Sequence, residues 1–350
     1  MNHDVIDDRY GRLFELPHCL SRSTSVMSFC LDYRLEKKAP IPEDLVGFWF
    51  RLNIPLSLFV GWFLVLFAKA KEFRPDCVIA SSDCVSVIIG RFIAYLLGAR
   101  FYADLYDDYS TFGLAKIPGM KWLYQRALRN ADGICAVSET LGSHLRESFP
   151  AKPVLVLEST IDAATFYPRD KSSSLKLLGL DGFCGKKLVG VCGGLNAYHG
   201  VSVVFDAFAK ISELEPEVLF VVAGKLDDAF PLPQLPNIEY LGVLTHEQMP
   251  YFFSAIDVQV VALSNTRFGY FAFPQKAYEV LACEVPVAAA EVGALALLFD
   301  AVPEALYDPD SSSSLAATVV RQLQAPKNNV VDIPTWEKQA LSLGRFISTV

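Results

Sequence analysis

At 350 residues the chain exceeds one typical core and suits two domains of about 150 residues each. An apolar share of 52 % with 12 % aromatic residues excludes global disorder. The net charge is −8, with 18 Lys and Arg against 19 Asp and Glu up to residue 165 and 13 against 20 beyond it. A general nucleic-acid binder would be basic, so that class is set aside.

Taken in chain order, the first half reads as helices at 11–20, 55–71, 85–97, 119–129 and 139–148, with short apolar strands at 26–31, 77–80, 101–105, 133–137 and 154–157. The run Ile-Pro-Leu-Ser-Leu-Phe-Val-Gly-Trp-Phe-Leu-Val-Leu-Phe-Ala at 54–68 is the one membrane-like segment. It falls short of the roughly 20 apolar residues that span a bilayer. A buried helix is expected there, with an interfacial helix giving peripheral contact with a membrane as the alternative. Lys171-Ser-Ser-Ser-Leu is expected to be a connector, and Asp310-Ser-Ser-Ser-Ser a surface loop or helix cap.

A second series follows, with strands at 187–192, 218–223, 238–240, 258–261, 285–289 and 305–307, a helix at 201–211, and a last amphipathic helix at 335–347. Strands alternating with helices imply parallel sheets covered on both faces. The expected architecture is α/β with two Rossmann-like doubly wound domains. Residues 1–165 form the first domain, with 334–350 packing back on it, and residues 166–333 form the second. The eight cysteines show no C-x-x-C pair, and several sit in apolar runs. Reduced thiols are expected, and no basic-then-apolar leader supports secretion, so a cytoplasmic protein is expected.

Residues 273–290, Phe-Pro-Gln-Lys-Ala-Tyr-Glu-Val-Leu-Ala-Cys-Glu-Val-Pro-Val-Ala-Ala-Ala, run from a polar loop through a helix into an apolar strand. That order puts Lys276 and Glu279 at a helix N-terminus, where unpaired N–H groups and the helix dipole favour anions. Lys276 adds a cation, and Glu279, one turn on, is an acceptor suited to a sugar hydroxyl pair. A nucleoside diphosphate with its ribose needs both. Read more plainly, Lys276 is a solvated cation and Glu279 a structural helix residue.

With these residues the chain resembles the nucleotide-sugar glycosyltransferases of the two-Rossmann (GT-B) type, specifically the retaining family 4. The resemblance covers nearly the whole chain. It rests on Asp8-Arg-Tyr-Gly-Arg-Leu-Phe-Glu-Leu-Pro, Ala103-Asp-Leu-Tyr-Asp-Asp-Tyr, Ala136-Val-Ser-Glu-Thr-Leu, Leu157-Glu-Ser-Thr-Ile-Asp-Ala-Ala-Thr-Phe-Tyr-Pro, Gly193-Gly-Leu-Asn-Ala-Tyr-His-Gly and 273–290, in that order. It implies two domains facing across a cleft and transfer of a sugar from a nucleotide-diphosphate sugar to a glycan or lipid-linked acceptor, in surface polysaccharide or lipopolysaccharide synthesis, with no metal and no cofactor.

On the donor side the resemblance implies Gly193, Gly194, His199, Lys225, Arg267, Lys276 and Glu279. Asp104 and Asp107 are implied as catalytic, and Arg12, Glu15 and Tyr106 on the acceptor side. Each has a plain competitor: a tight turn at Gly193-Gly194, a solvated acidic loop at Asp104–Asp108, and an ordinary helix ion pair between Arg12 and Glu15.

Three departures from the family pattern stand out. The first of its two glutamates falls on Phe271, its Lys-Gly loop reads His199-Gly200, and its Asn-Gly interdomain pair reads Ser159-Thr160. The family also begins with an apolar strand, whereas only Met-Asn-His-Asp-Val-Ile-Asp precedes Asp8. The first strand of the N-terminal domain is therefore expected to be missing, with a start upstream of Met1 and a groove left in the core. Two alternative functions are kept: a non-catalytic partner subunit, which Phe271, His199 and the absent first strand favour, and a nucleotide-sugar epimerase or sugar phosphorylase on the same fold, against which Phe271 and the five histidines count.

Overall fold

The computed structural model describes residues 5–32, 40–53, 59–110 and 113–349. The chain divides into two compact units, Met1–Ser159 with Trp336–Val350, and Thr160–Thr335. Both are α/β, and every strand pairing in both is parallel.

The first unit opens with α1 (Val5–Asp8) and α2 (Arg12–Ser21), then β1 (Ser28–Asp32) and β2 (Trp49–Asn53), which pair with each other. The alternation that follows is α3 (Phe59–Phe73), β3 (Cys77–Ala80), α4 (Cys84–Leu97), β4 (Arg100–Leu105), α5 (Met120–Arg129), β5 (Gly133–Ala136), α6 (Glu139–Ser148) and β6 (Val154–Val156). These strands form one sheet in the order β3-β4-β5-β6. Because the strands follow one another in sequence and the crossovers are right-handed, α4, α5 and α6 lie on one face of that sheet. Helix starts are set locally: Asp83 accepts from the Ser86 N–H, and Ser138 from the Leu141 N–H. Gly98, at φ 66°, ends α4.

The strand β2 was not anticipated. Its alternation is hidden in an apolar stretch, because Trp49 is buried against Phe14 and Arg51 is held by Asp7 at 2.6 Å. The helix expected over 55–71 is α3, and the part of it over 55–58 lies outside the described residues. No described helix is long and apolar enough to cross a membrane. Among the described residues β1 pairs only with β2, and β3 only with β4. Between their remaining edges lies a cavity of about 570 Å³, bordered by residues 24–29 on one side and 74–82 on the other. Leu16 and Leu20 of α2 and Ile89 and Ile93 of α4 also line it.

The second unit comprises α7 (Lys171–Leu177), β7 (Leu188–Leu195), α8 (Val201–Leu214), β8 (Leu219–Leu226), β9 (Ile238–Tyr240), α9 (Met249–Ala255), β10 (Val258–Val261), α10 (Arg267–Phe271), α11 (Lys276–Ala282), β11 (Val287–Ala290), α12 (Gly293–Leu298), β12 (Leu306–Tyr307) and α13 (Ser312–Gln324). The Ser-rich segment expected as a connector is instead α7. Asp170 caps it by accepting from the Ser173 N–H, and that cap outweighs the poor helix propensity of three serines. The sheet runs β12-β11-β10-β7-β8-β9, so the strand order reverses between β10 and β7. Its core is built of rings and branched chains, with Phe208 stacked on Phe220 at 4.0 Å between ring centres.

The last helix, α14 (Trp336–Thr349), belongs to the first unit. Its Trp336, Ala340 and Leu343 pack with Leu16 and Leu20 of α2 and with Leu157. The Tyr102 hydroxyl donates to the Ile347 carbonyl at 3.2 Å.

Candidate functional site

In an open parallel sheet the strand order reverses at a crevice, beyond the carboxyl ends of the strands, that cannot be filled by a crossover helix. In the second unit that place is the end of β7. Gly193 there has φ 106°, in the region glycine tolerates, and a Cβ on it would overlap the Lys276 ammonium. Lys276, the first residue of α11, donates from Nζ to the Cys192 carbonyl at 2.5 Å. The ammonium therefore lies directly over Gly193.

Glu279 lies one turn along α11 and accepts at Oε1 from the Gln275 side-chain amide at 3.1 Å. Burial pushes its carboxyl up to about 7, against the opposing pull of Lys276 and Gln275. His199 closes the loop after β7, with Nδ1 3.0 Å from the Asn196 side-chain oxygen. Burial, and next the Lys276 charge, push the imidazole down to about 4, so it is neutral at pH 7. The ring lies beside Gly194, where a Cβ would come within 3.1 Å of its Cε1. Ser264 ties this loop down through its N–H to the Tyr198 carbonyl, and Phe268 of α10 packs against both Tyr198 and His199.

Lys225 is exposed on β8 and pairs in register with Gly194. Arg267 is exposed at the start of α10, its guanidinium 5.3 Å from the centre of the Phe271 ring. Phe271 itself is buried. Gly193, Gly194, His199, Lys276 and Glu279 thus form one cluster, with Lys225 and Arg267 on adjacent elements. Two members were not foreseen: Gln275 holds Glu279, and Asn196 holds His199. The i, i+4 spacing of Gln275 and Glu279 was a readable signal.

In the first unit, Asp104 and Arg12 form a buried ion pair. Arg12 Nη2 is 2.5 Å from Asp104 Oδ1, and its Nε is 3.0 Å from Oδ2. Arg12 also donates through Nη1 to the Leu157 carbonyl. Burial works against the guanidinium charge, but Asp104 outweighs it and raises the Arg12 pKa. The expectation that Arg12 lines an acceptor surface is corrected, because its side chain is only 4 % exposed and committed to Asp104. So is the alternative of an Arg12–Glu15 pair: the partner of Arg12 is Asp104, and Glu15 lies half-buried on α2.

Asp107 and Tyr106 follow β4. Asp107 is buried and accepts at Oδ1 from the Asp108 N–H at 2.7 Å. Burial pushes its carboxyl up to about 7, with the Asp108 charge adding to the rise. The turn is held by the Tyr109 hydroxyl, which accepts from the N–H groups of Ser82 and Tyr106, a role no local pattern announced. The Tyr106 phenol is pushed up to about 12, first by burial and then by Asp107.

Residues 186–325 match the family model described as glycosyl transferases group 1. This segment of the chain is similar to the group 1 glycosyl transferases. The match contains β7, Lys276 and Glu279, and so the whole cluster around Gly193. A curated relative, D-inositol 3-phosphate glycosyltransferase of Segniliparus rotundus, is 26 % identical over 211 residues, 56 % of this chain and 45 % of the relative. The chain thus aligns with about half the length of that relative.

Two solved structures share the fold. Sucrose-phosphate synthase from Thermosynechococcus elongatus superposes with a TM-score of 0.75 at 19 % identity, over 96 % of this chain and 92 % of that one. Anabaena HepE in complex with UDP gives 0.71 at 15 % identity, over 93 % and 100 %. The fold is accordingly GT-B, with two Rossmann-like units. The GT-B fold agrees with the architecture expected from the sequence motifs.

Proposed function

We propose that this protein is a glycosyltransferase that moves a sugar from a nucleotide-diphosphate donor to a glycan or lipid-linked acceptor, with retention, as in family 4. The observation that carries the proposal is the Lys276 ammonium held over Gly193 at the strand-order reversal, one helical turn from the Glu279 carboxyl. An ammonium beside a glycine pair is the charge and the space that a diphosphate requires. Glu279 would accept from the ribose hydroxyls, and Gln275 fixes its direction. His199, neutral at pH 7, would donate or accept a hydrogen bond without adding charge, and Lys225 and Arg267 would supply further cations to the leaving diphosphate.

Charge on the departing diphosphate would be neutralised by these groups and by backbone N–H donors, so no metal and no cofactor is invoked. In the first unit, Asp107 and Tyr106 would handle acceptor or sugar hydroxyls. Asp104, tied to Arg12, would act by holding the end of β4 in place. Synthesis of a surface polysaccharide or lipopolysaccharide, on the cytoplasmic side, is the setting this reading favours.

The HepE structures are complexes with UDP or UDP-glucose, which makes uridine diphosphate sugars the first donors to test. The test is a mass-spectrometric screen of nucleotide-diphosphate sugars with the purified protein, reading release of nucleoside diphosphate. Turnover of at least one donor is expected. Binding of a nucleoside diphosphate with turnover of none would point to a partner subunit, and neither binding nor turnover would remove the proposal.

A further inference from the structure

The imidazole of His199 is held in one tautomer. Its Nδ1 lies 3.0 Å from the side-chain oxygen of Asn196. An amide oxygen only accepts, so Nδ1 carries the ring hydrogen, and Nε2 of the neutral ring is then a bare nitrogen with a lone pair. The setting of the ring is fixed from two sides. Phe268 packs on it edge to face at 6.1 Å between ring centres, and Ser264 donates to the neighbouring Tyr198 carbonyl through both its N–H and its hydroxyl.

Nε2 itself has no hydrogen-bond partner among the described residues, and it is not sealed in the interior. A Cβ on Gly194 would lie 3.1 Å from the ring Cε1 and 3.2 Å from Nδ1, so the imidazole borders the same glycine loop that carries the Lys276 ammonium. Burial, and next the Lys276 charge, oppose protonation of the ring, which keeps the lone pair in place at pH 7. A lone pair and a phosphate oxygen are both acceptors and repel, so this nitrogen is the wrong group for a diphosphate. It suits a hydroxyl, the group that a sugar carries beside its diphosphate.

We propose that His199 accepts, through Nε2, a hydrogen bond from a hydroxyl of the transferred sugar, with Asn196 fixing the tautomer, so that the site selects a sugar hydroxylated at that position over its deoxy form. A site built to bind a hydroxyl rejects the analogue that lacks it, because its own polar group is left unpaired. The inference rests on the sugar-transfer reading and adds which part of the donor His199 meets: the sugar and not the diphosphate. His199 is thus a specificity residue, and Asn196 a positioning residue.

The experiment is calorimetry at about pH 7 with UDP against UDP-glucose and GDP against GDP-mannose, on the parent, His199→Ala, His199→Gln and Asn196→Ala. Thermal melts establish that the variants fold. His199→Ala should weaken the nucleotide sugar about 3- to 12-fold more than it weakens the bare nucleoside diphosphate, the range for a neutral hydrogen bond. His199→Gln, whose amide oxygen can accept, should recover most of that loss. Among the single deoxy forms of the bound sugar, one should bind the parent and His199→Ala equally. NMR of the ring nitrogens should find Nδ1 protonated and Nε2 bare in the parent, and Asn196→Ala should lose that preference and weaken the nucleotide sugar alone. A parent ring protonated at Nε2, or a His199→Ala variant that weakens the nucleoside diphosphate and the nucleotide sugar equally or weakens neither, would overturn the proposal while leaving the Lys276 site standing. Binding of neither pair by the parent would instead remove the sugar-transfer reading, and this inference with it.

Discussion

Arg12 and Asp104, 92 residues apart in sequence, meet in a buried pair whose two side chains are 4 % and 8 % exposed. The pair joins α2 to the carboxyl end of β4, and the further bond from Arg12 to the Leu157 carbonyl draws in the segment after β6. One guanidinium thus fixes three elements of the first unit around the turn that presents Asp107.

Removing one partner of such a pair strands the other charge in a medium of low dielectric. Arg12→Met should therefore cost about 3–5 kcal/mol in urea unfolding, and the double variant Arg12→Met with Asp104→Leu should recover most of that loss. A single variant within about 1 kcal/mol of the parent would show that the pair does not organise the unit.

Asp107 gives a pH signature of stability. Its folded-state pKa of about 7 lies above the ordinary value of 3.8. Between these values the folded chain binds more protons than the unfolded one, so this group's contribution to stability falls as pH rises from about 4 to about 7. Asp107→Asn keeps an oxygen to accept the Asp108 N–H and removes the buried charge. It should stabilise the protein by about 1–3 kcal/mol at pH 8 and by little at pH 4, read by thermal melts at both pH values. An equal effect at the two pH values would contradict the assignment.

Much of this arrangement could be read from the sequence because strands buried on both faces appear as short apolar runs, and Rossmann units repeat them at regular intervals. That Gly193, Lys276 and Glu279 lie together was legible for a related reason, since their placement depends on local order: a strand end, a loop and a helix start. What could not be read depends on distant partners. The Arg12–Asp104 pairing has no local signature, and the nearer Glu15 offered a plausible but wrong partner for Arg12. The strand β2 was hidden because Arg51 is drawn in by Asp7. The helix after Asp170 was obscured by a serine run that a single cap makes helical.

Glu279 predicts a pH dependence of donor binding. Its carboxyl must be ionised to accept from both ribose hydroxyls, and burial has pushed its pKa up to about 7. Affinity for UDP-glucose, whose own phosphates do not titrate in this range, should fall about tenfold from pH 8 to pH 6. Glu279→Gln should bind more weakly at pH 8 and show a flat profile, measured by calorimetry at several pH values. A parent profile as flat as that of the variant would place the Glu279 carboxyl off the ribose.

Donor binding depends above all on whether the ammonium over Gly193 grips a diphosphate. Isothermal titration of UDP into the parent protein and into Lys276→Ala tests this directly. Loss of a charge-assisted hydrogen bond should weaken binding by about 1.5–3 kcal/mol, roughly 10- to 150-fold. Equal affinity of the two proteins for UDP, or no binding of any nucleoside diphosphate by the parent, would contradict the account.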